Sequence, residues 1–170
     1  MALPINPALL GLLSTAPNRA VRGPSGDLYV ADGYGHNYMH RFSPDGELQH
    51  TWGRTGDCPG EFTLPHNVFA ARDGRILVAD REPNNRIHIF DADGEFLTEW
   101  PGRLAPCGLF VDDDDMVYIT EGGGVSILTM EGRLVTHMKA VISRPDRGYN
   151  IEIKDPTLGA GPYFTNSRLY

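Results

Sequence analysis

The sequence predicts an all-β fold built from repeated units of four short antiparallel strands. The first sign is an internal repeat. Laid on itself with a shift of 48 residues, the chain places Pro17 on Pro65, Gly26 on Gly74, Val30-Ala31-Asp32 on Val78-Ala79-Asp80, Phe42 on Phe90, Asp45-Gly46-Glu47 on Asp93-Gly94-Glu95 and Trp52 on Trp100, with no gap. The second is punctuation: 20 glycines and 13 prolines interrupt the chain every few residues and leave a long helix nowhere to sit.

The second copy shows the elements best. Val68 to Ala71 reads as the innermost strand, Arg72-Asp73-Gly74 as a turn, and Arg75 to Ala79 as the next strand. Arg86 to Phe90 forms the third and Glu95 to Trp100 the outermost. β-Branched and aromatic residues fill each run, and Asp73-Gly74 and Asp93-Gly94 supply the positive φ that tight hairpins require. Four antiparallel strands in roughly 40 to 48 residues make one blade of a β-propeller.

A third copy places Pro106 on Pro65, Tyr118-Ile119-Thr120-Glu121 on Leu77-Val78-Ala79-Asp80 and Gly132 on Gly94, losing residues around Gly122-Gly123-Gly124. The organisation expected is an N-terminal segment (1–15), three blades (about 16–60, 61–104 and 105–140) and a C-terminal tail (141–170). Prolines and glycines make that tail irregular, apart from a strand-like alternation at Tyr149-Asn150-Ile151-Glu152-Ile153. It is a possible cap on an open blade face.

Composition bounds the rest. With 170 residues and 41% hydrophobic content, the chain is one domain able to bury a core. Its net charge of −7 argues against nucleic acid and anionic membrane, both of which need a concentrated basic face. Two cysteines, Cys58 and Cys107, are too few for a disulfide framework. The apolar patch from Ala8 to Leu13 has no basic residue before it and is short for a secretory core, so the chain reads as unprocessed and cytoplasmic.

Leu28-Tyr29-Val30-Ala31-Asp32, Arg41-Phe42-Ser43-Pro44-Asp45-Gly46 and Arg86-Ile87-His88-Ile89-Phe90-Asp91 resemble NHL repeats, which build six-bladed propellers. Three blades make an incomplete six-bladed ring, since a closed one takes roughly 250 residues. A homodimer of three-bladed chains would complete it.

A longer series is more specific: Asp32-Gly33-Tyr34-Gly35, Phe42-Ser43-Pro44, Trp52-Gly53, Pro59-Gly60-Glu61-Phe62-Thr63-Leu64-Pro65-His66, Val78-Ala79-Asp80-Arg81-Glu82 and Asn85-Arg86-Ile87. From about Pro17 to Leu134 the chain resembles the peptidyl-α-hydroxyglycine lyase domain of peptidylglycine α-amidating enzymes and its bacterial relatives. That resemblance implies a carbon–nitrogen lyase with zinc on three channel histidines and calcium nearby. It matches His66 to a zinc ligand, Tyr34 to the catalytic tyrosine and Arg81 to a catalytic arginine. The other two zinc histidines have no counterpart here, and Val68 lies only in a blade equivalent to one that contacts calcium.

The residues themselves point to the same place. His66 opens an innermost strand, while Tyr34 and Arg81 follow the Asp that ends a second strand, so all three belong to loops at the channel mouth where propellers gather peptide or small-molecule ligands. Each has an alternative. His66 is a metal ligand or a hydrogen-bonded blade residue, Tyr34 lines the channel or packs on its turn, and Arg81 binds a carboxylate or pairs with Asp80 or Glu82. Cys107 holds the His66 place in the third copy, as a metal ligand or a buried apolar cysteine. Asp112 to Asp115 reads as a solvated turn, and His40 and His88 as blade-packing residues at one repeat position. Two functions follow: a metal-dependent lyase working in a completed ring, or a non-catalytic propeller that binds a peptide or protein.

Overall fold

The computed structural model describes residues 16–143 and 150–154. Among them every regular element is a β-strand, arranged in three antiparallel sheets. The first holds β1 (Arg19–Arg22), β2 (Leu28–Asp32), β3 (Tyr38–Phe42) and β4 (Leu48–Trp52), and the second holds β5 (Pro65–Ala70), β6 (Ile76–Asp80), β7 (Arg86–Phe90) and β8 (Phe96–Pro101). The third runs through β9 (Gly108–Val111), β10 (Met116–Glu121), β11 (Gly124–Thr129) and β12 (Leu134–Ser143), with β13 (Asn150–Lys154) added at its outer edge. Strand order follows chain order in each sheet, as it must where every connection is a hairpin. The chain is a partial β-propeller of three blades.

Local chemistry accounts for the turns. Gly74 and Gly94 take φ of 90° and 89°, and their amides donate to Ala71 O (3.1 Å) and Asp91 O (3.2 Å). Two differences from the sequence reading stand out. The second strand of blade two starts one residue later than expected and includes Asp80, whose buried carboxylate accepts from the Thr63 and Leu64 amides (3.0 and 2.9 Å). β12 passes the expected boundary at residue 140, and its outer half, Lys139 to Ser143, pairs with β13, where the strand-like alternation had been read. The rest of the tail and the N-terminal segment lie outside the described residues.

Blades pack face to face through one repeating set of positions. Tyr29, Ala31 and Met39 of blade one meet Val68, Ile76, Val78 and Phe90 of blade two, and Leu77, Ala79, Ile87 and Ile89 of blade two meet Leu109, Val117, Ile119 and Leu128 of blade three. Such side chains each contribute roughly 1.5–3 kcal/mol when fully buried. Both faces of blade two are covered, so every residue of β6 and β7 is buried.

A polar pair crosses from the third strand to the fourth at one repeat position in every blade. His40 Nδ1 lies 2.9 Å from Thr51 Oγ1, His88 Nε2 lies 3.1 Å from Glu99 Oε2, and Ser126 Oγ lies 2.8 Å from His137 Nδ1. His40 and His88 thus do serve blade packing. Burial, with a smaller push from Arg86, drives the His88 imidazole down to about 3.

A proton that the unfolded chain takes up near pH 6.5 is therefore excluded from the fold, and stability falls as pH drops from about 6.5 toward 3. His40, lowered by burial against the pull of Asp32, adds in the same sense. Asp80 opposes it: burial raises its pKa, so its contribution is present below the unfolded carboxylate value and is lost as pH rises through the raised one. In urea titrations from pH 7 to 4, His88→Asn is expected to flatten the pH dependence by about 1–3 kcal/mol. A slope equal to that of the unsubstituted protein would remove His88 from this role.

Candidate functional site

The first strand of each blade begins at the rim where the second strand ends. Pro65 pairs with Asp80 and Gly108 with Thr120, so residues just before a first strand meet residues just after a second. Asn18 and Cys107 stand just before their first strands, His66 takes the equivalent repeat position inside β5 at the register shift between Pro65 and Asn67, and Gly33, Arg81 and Gly122 follow the second strands. Tyr34, His66, Arg81 and Cys107 lie on this rim.

Tyr34 stands in the turn after β2, 61% exposed, so it does not pack into its own blade. Asn18 Oδ1 fixes that turn by accepting from the Gly33 and Tyr34 amides at 2.8 and 3.1 Å. From there the phenol ring meets the His66 ring edge-on across the blade boundary, with centroids 5.8 Å apart and planes at 85°.

His66 Nδ1 lies 3.0 Å from the Cys107 carbonyl oxygen, which also accepts from Asn67 Nδ2 at 3.1 Å. A carbonyl only accepts, so Nδ1 carries a proton, and it is Nε2 that holds the lone pair in the neutral tautomer. Metal-binding imidazoles are oriented in this way by a backbone carbonyl. Cys107, partly buried, turns its thiol to Ala105 O at 3.2 Å.

Arg81 is anchored through its backbone, its amide donating to Leu64 O and its carbonyl accepting from the Asn85 amide, both at 3.0 Å. Its guanidinium faces the neighbouring carboxylate in a two-point contact, Nε to Glu82 Oε2 at 3.0 Å and Nη2 to Oε1 at 2.7 Å. That pair raises the Arg81 pKa, with smaller contributions from Cys107, Glu82 and Tyr34. The Glu82 carboxyl is held below its usual range by its own backbone amide first, then by Arg81 and by His66.

The structure thus brings Tyr34, His66 and Arg81 to one rim, 48 residues or less apart in sequence but drawn from two blades. Sequence reasoning gave Glu82 only a pairing role and passed over Asn18. The repeat itself marks Asn18, which the 48-residue shift places on His66.

A catalytic zinc takes three protein ligands, and among the described residues no group of three donors close enough to share an ion includes His66. The residues present do not assemble that centre, although the His66 tautomer suits one ligand of it. The group that does come together is Asp57, Cys58 and Glu61, in the loop between β4 and β5. There Glu61 is bound to Arg54 at 2.6 Å, and the loop carbonyls of Asp57, Cys58 and Glu61 wrap the Arg86 guanidinium at 2.7, 3.1 and 3.1 Å. Asp112 to Asp115 is the β9–β10 turn, with Asp112 accepting from the Asp114 and Met116 amides and from Tyr118 Oη.

No family model and no curated protein matches the chain. Solved structures do. It is similar to protein BF0058 of Bacteroides fragilis (TM-score 0.62, 14% identity, covering 85% of this chain and 46% of that one). It is also similar to the WD40 β-propeller domain of Doa1 (TM-score 0.58, 14% identity, 81% and 47%) and to a gluconolactonase of Xanthomonas campestris (TM-score 0.56, 20% identity, 79% and 48%). At these identities the likeness establishes the β-propeller fold. The chain spans about half the length of each of them. Among the described residues no helix is long and apolar enough to cross a membrane.

Proposed function

We propose that the chain is half of an NHL propeller of the amidating-lyase type, acting on a small molecule or peptide that ends in an α-hydroxyglycine-like carboxylate. The observation that carries this reading is the convergence of Tyr34, His66 and Arg81 on one rim. Arg81 holds the carboxylate, because a planar, permanently charged fork matches its two oxygens. Tyr34, as its phenolate, takes the proton of the α-hydroxyl as the C=O bond forms and the C–N bond breaks, and returns that proton to the departing amide nitrogen, giving amide and glyoxylate.

Zinc belongs to the proposal as a group for which His66 is one ligand and a completing half provides the others. Calcium is assigned no residue. A second copy of the chain is the proposed completing half, and the two unpaired cysteines support a cytoplasmic location.

A second reading has its own support. Arg81 already holds Glu82 in a two-point contact, as a structural arginine would, and this favours a non-catalytic propeller that binds a peptide or protein. Turnover of a peptidyl-α-hydroxyglycine, together with the zinc content of the purified protein, separates the two. Tyr34→Phe and Arg81→Ala are expected to lower kcat/KM by about 100-fold or more while moving Tm by about 2 °C or less. Activity that falls only in proportion to the fraction unfolded would make both residues structural, and absence of both zinc and turnover would leave the scaffold.

A further inference from the structure

We propose that Glu82 occupies from within the chain the seat of a ligand carboxylate on Arg81, so that the rim binds small carboxylates and Glu82 sets how tightly. The inference rests on the assignment of Arg81 to a carboxylate made above, and it adds a resident competitor to that site.

The geometry is that of carboxylate recognition. Two oxygens of one carboxylate meet Nε and Nη2 of one guanidinium at 3.0 and 2.7 Å. The seat lies beside the proposed chemistry, since Arg81 follows Asp80, which pairs with Pro65 next to His66, and the His66 ring meets that of Tyr34. A carboxylate arriving there meets Arg81 with Tyr34 and His66 close by.

The pair is also placed to open. The Glu82 side chain is 51% exposed and that of Arg81 23%. An ion pair this accessible to water adds little to stability, so exchanging one carboxylate for another costs little. Nor does the local fold depend on it, because Arg81 is fixed by backbone bonds to Leu64 and Asn85 whichever way its side chain turns. Occupation of the guanidinium by Glu82 lowers the apparent affinity for any external carboxylate by the fraction of the time the seat is filled.

Binding of an unreactive probe tests this without requiring turnover. N-acetylglycine and its neutral counterpart N-acetylglycinamide are titrated by calorimetry and amide NMR into the intact chain and into Glu82→Gln, Glu82→Ala, Arg81→Gln and the Arg81→Gln/Glu82→Gln double variant. Glu82→Gln and Glu82→Ala are expected to tighten the N-acetylglycine Kd by about three- to fivefold. Both variants carrying Arg81→Gln should lose binding, and the neutral amide should bind none of them. Unchanged or weaker binding on removing the Glu82 charge overturns the proposal, as does double-variant binding equal to that of Glu82→Gln, or no binding by any protein. Tighter carboxylate binding without lyase turnover would sustain this inference and sink only the lyase reading.

Discussion

Gly132→Ala is expected to destabilise the protein by about 2–4 kcal/mol, several times the cost of the same change at Gly74. Both glycines sit in hairpin turns with positive φ, 79° and 90°, so both substitutions carry a backbone cost of about 1 kcal/mol. They differ in what lies above them. A Cβ on Gly74 meets nothing within 4 Å, whereas one on Gly132 collides with Trp100 Cδ1 and Nε1, on an indole packed between blades two and three. Trp100 is 7% exposed and belongs to the core cluster between blades two and three, so any shift of its ring disturbs that joint.

A double-mutant cycle isolates the clash. In a Trp100→Ala background, itself costing about 3–5 kcal/mol, Gly132→Ala should fall back to the backbone cost alone. Urea unfolding that shows equal losses at Gly74 and Gly132 would mean that this turn does not carry the blade contact. Trp52 covers Gly94 in the same way, 2.8 Å from the added carbon, so the joint between blades one and two should respond likewise.

This joint shows where sequence and structure part. The 48-residue shift pairs Trp52 with Trp100 and Gly46 with Gly94, which reveals a repeat but not that each Trp rests on the glycine of the following blade. Strands were legible because alternation and Asp-Gly turns are local properties, read within a few residues. Contacts between blades depend on how the sheets twist and stack, which no short window contains. The site divides along the same line. Tyr34, His66 and Arg81 were legible as rim residues from their places next to strand ends. The two-point grip of Glu82 on Arg81 and the Cys107 carbonyl that sets the His66 tautomer are set by side-chain and inter-blade geometry that the order of residues does not record.

In the paired ring proposed above, the protein is expected to migrate at twice 18.7 kDa, and Ile127→Glu to convert it to a monomer. The argument follows the repeat. Leu77, Ile87, Ile89 and Trp100 face blade three and are 0, 0, 1 and 7% exposed. Blade three carries Tyr118, Val125, Ile127 and Met138 at the matching positions, apolar in character yet only partly buried, and Phe110, at the place of Phe69, is 56% exposed. That face has the composition of a blade joint without the burial of one, and a sheet left in this state pairs or is covered. Two chains of three blades reach six, and each brings a rim with its own Tyr34, His66 and Arg81 toward one channel. Since His66 is a single ligand where zinc takes three, pairing is also the step by which further donors approach it. Light scattering on the eluted peak decides. A stable 18.7 kDa monomer at every concentration, unchanged by Ile127→Glu, would exclude the paired ring and leave the tail beyond Lys154 as the element to test as a cover for blade three.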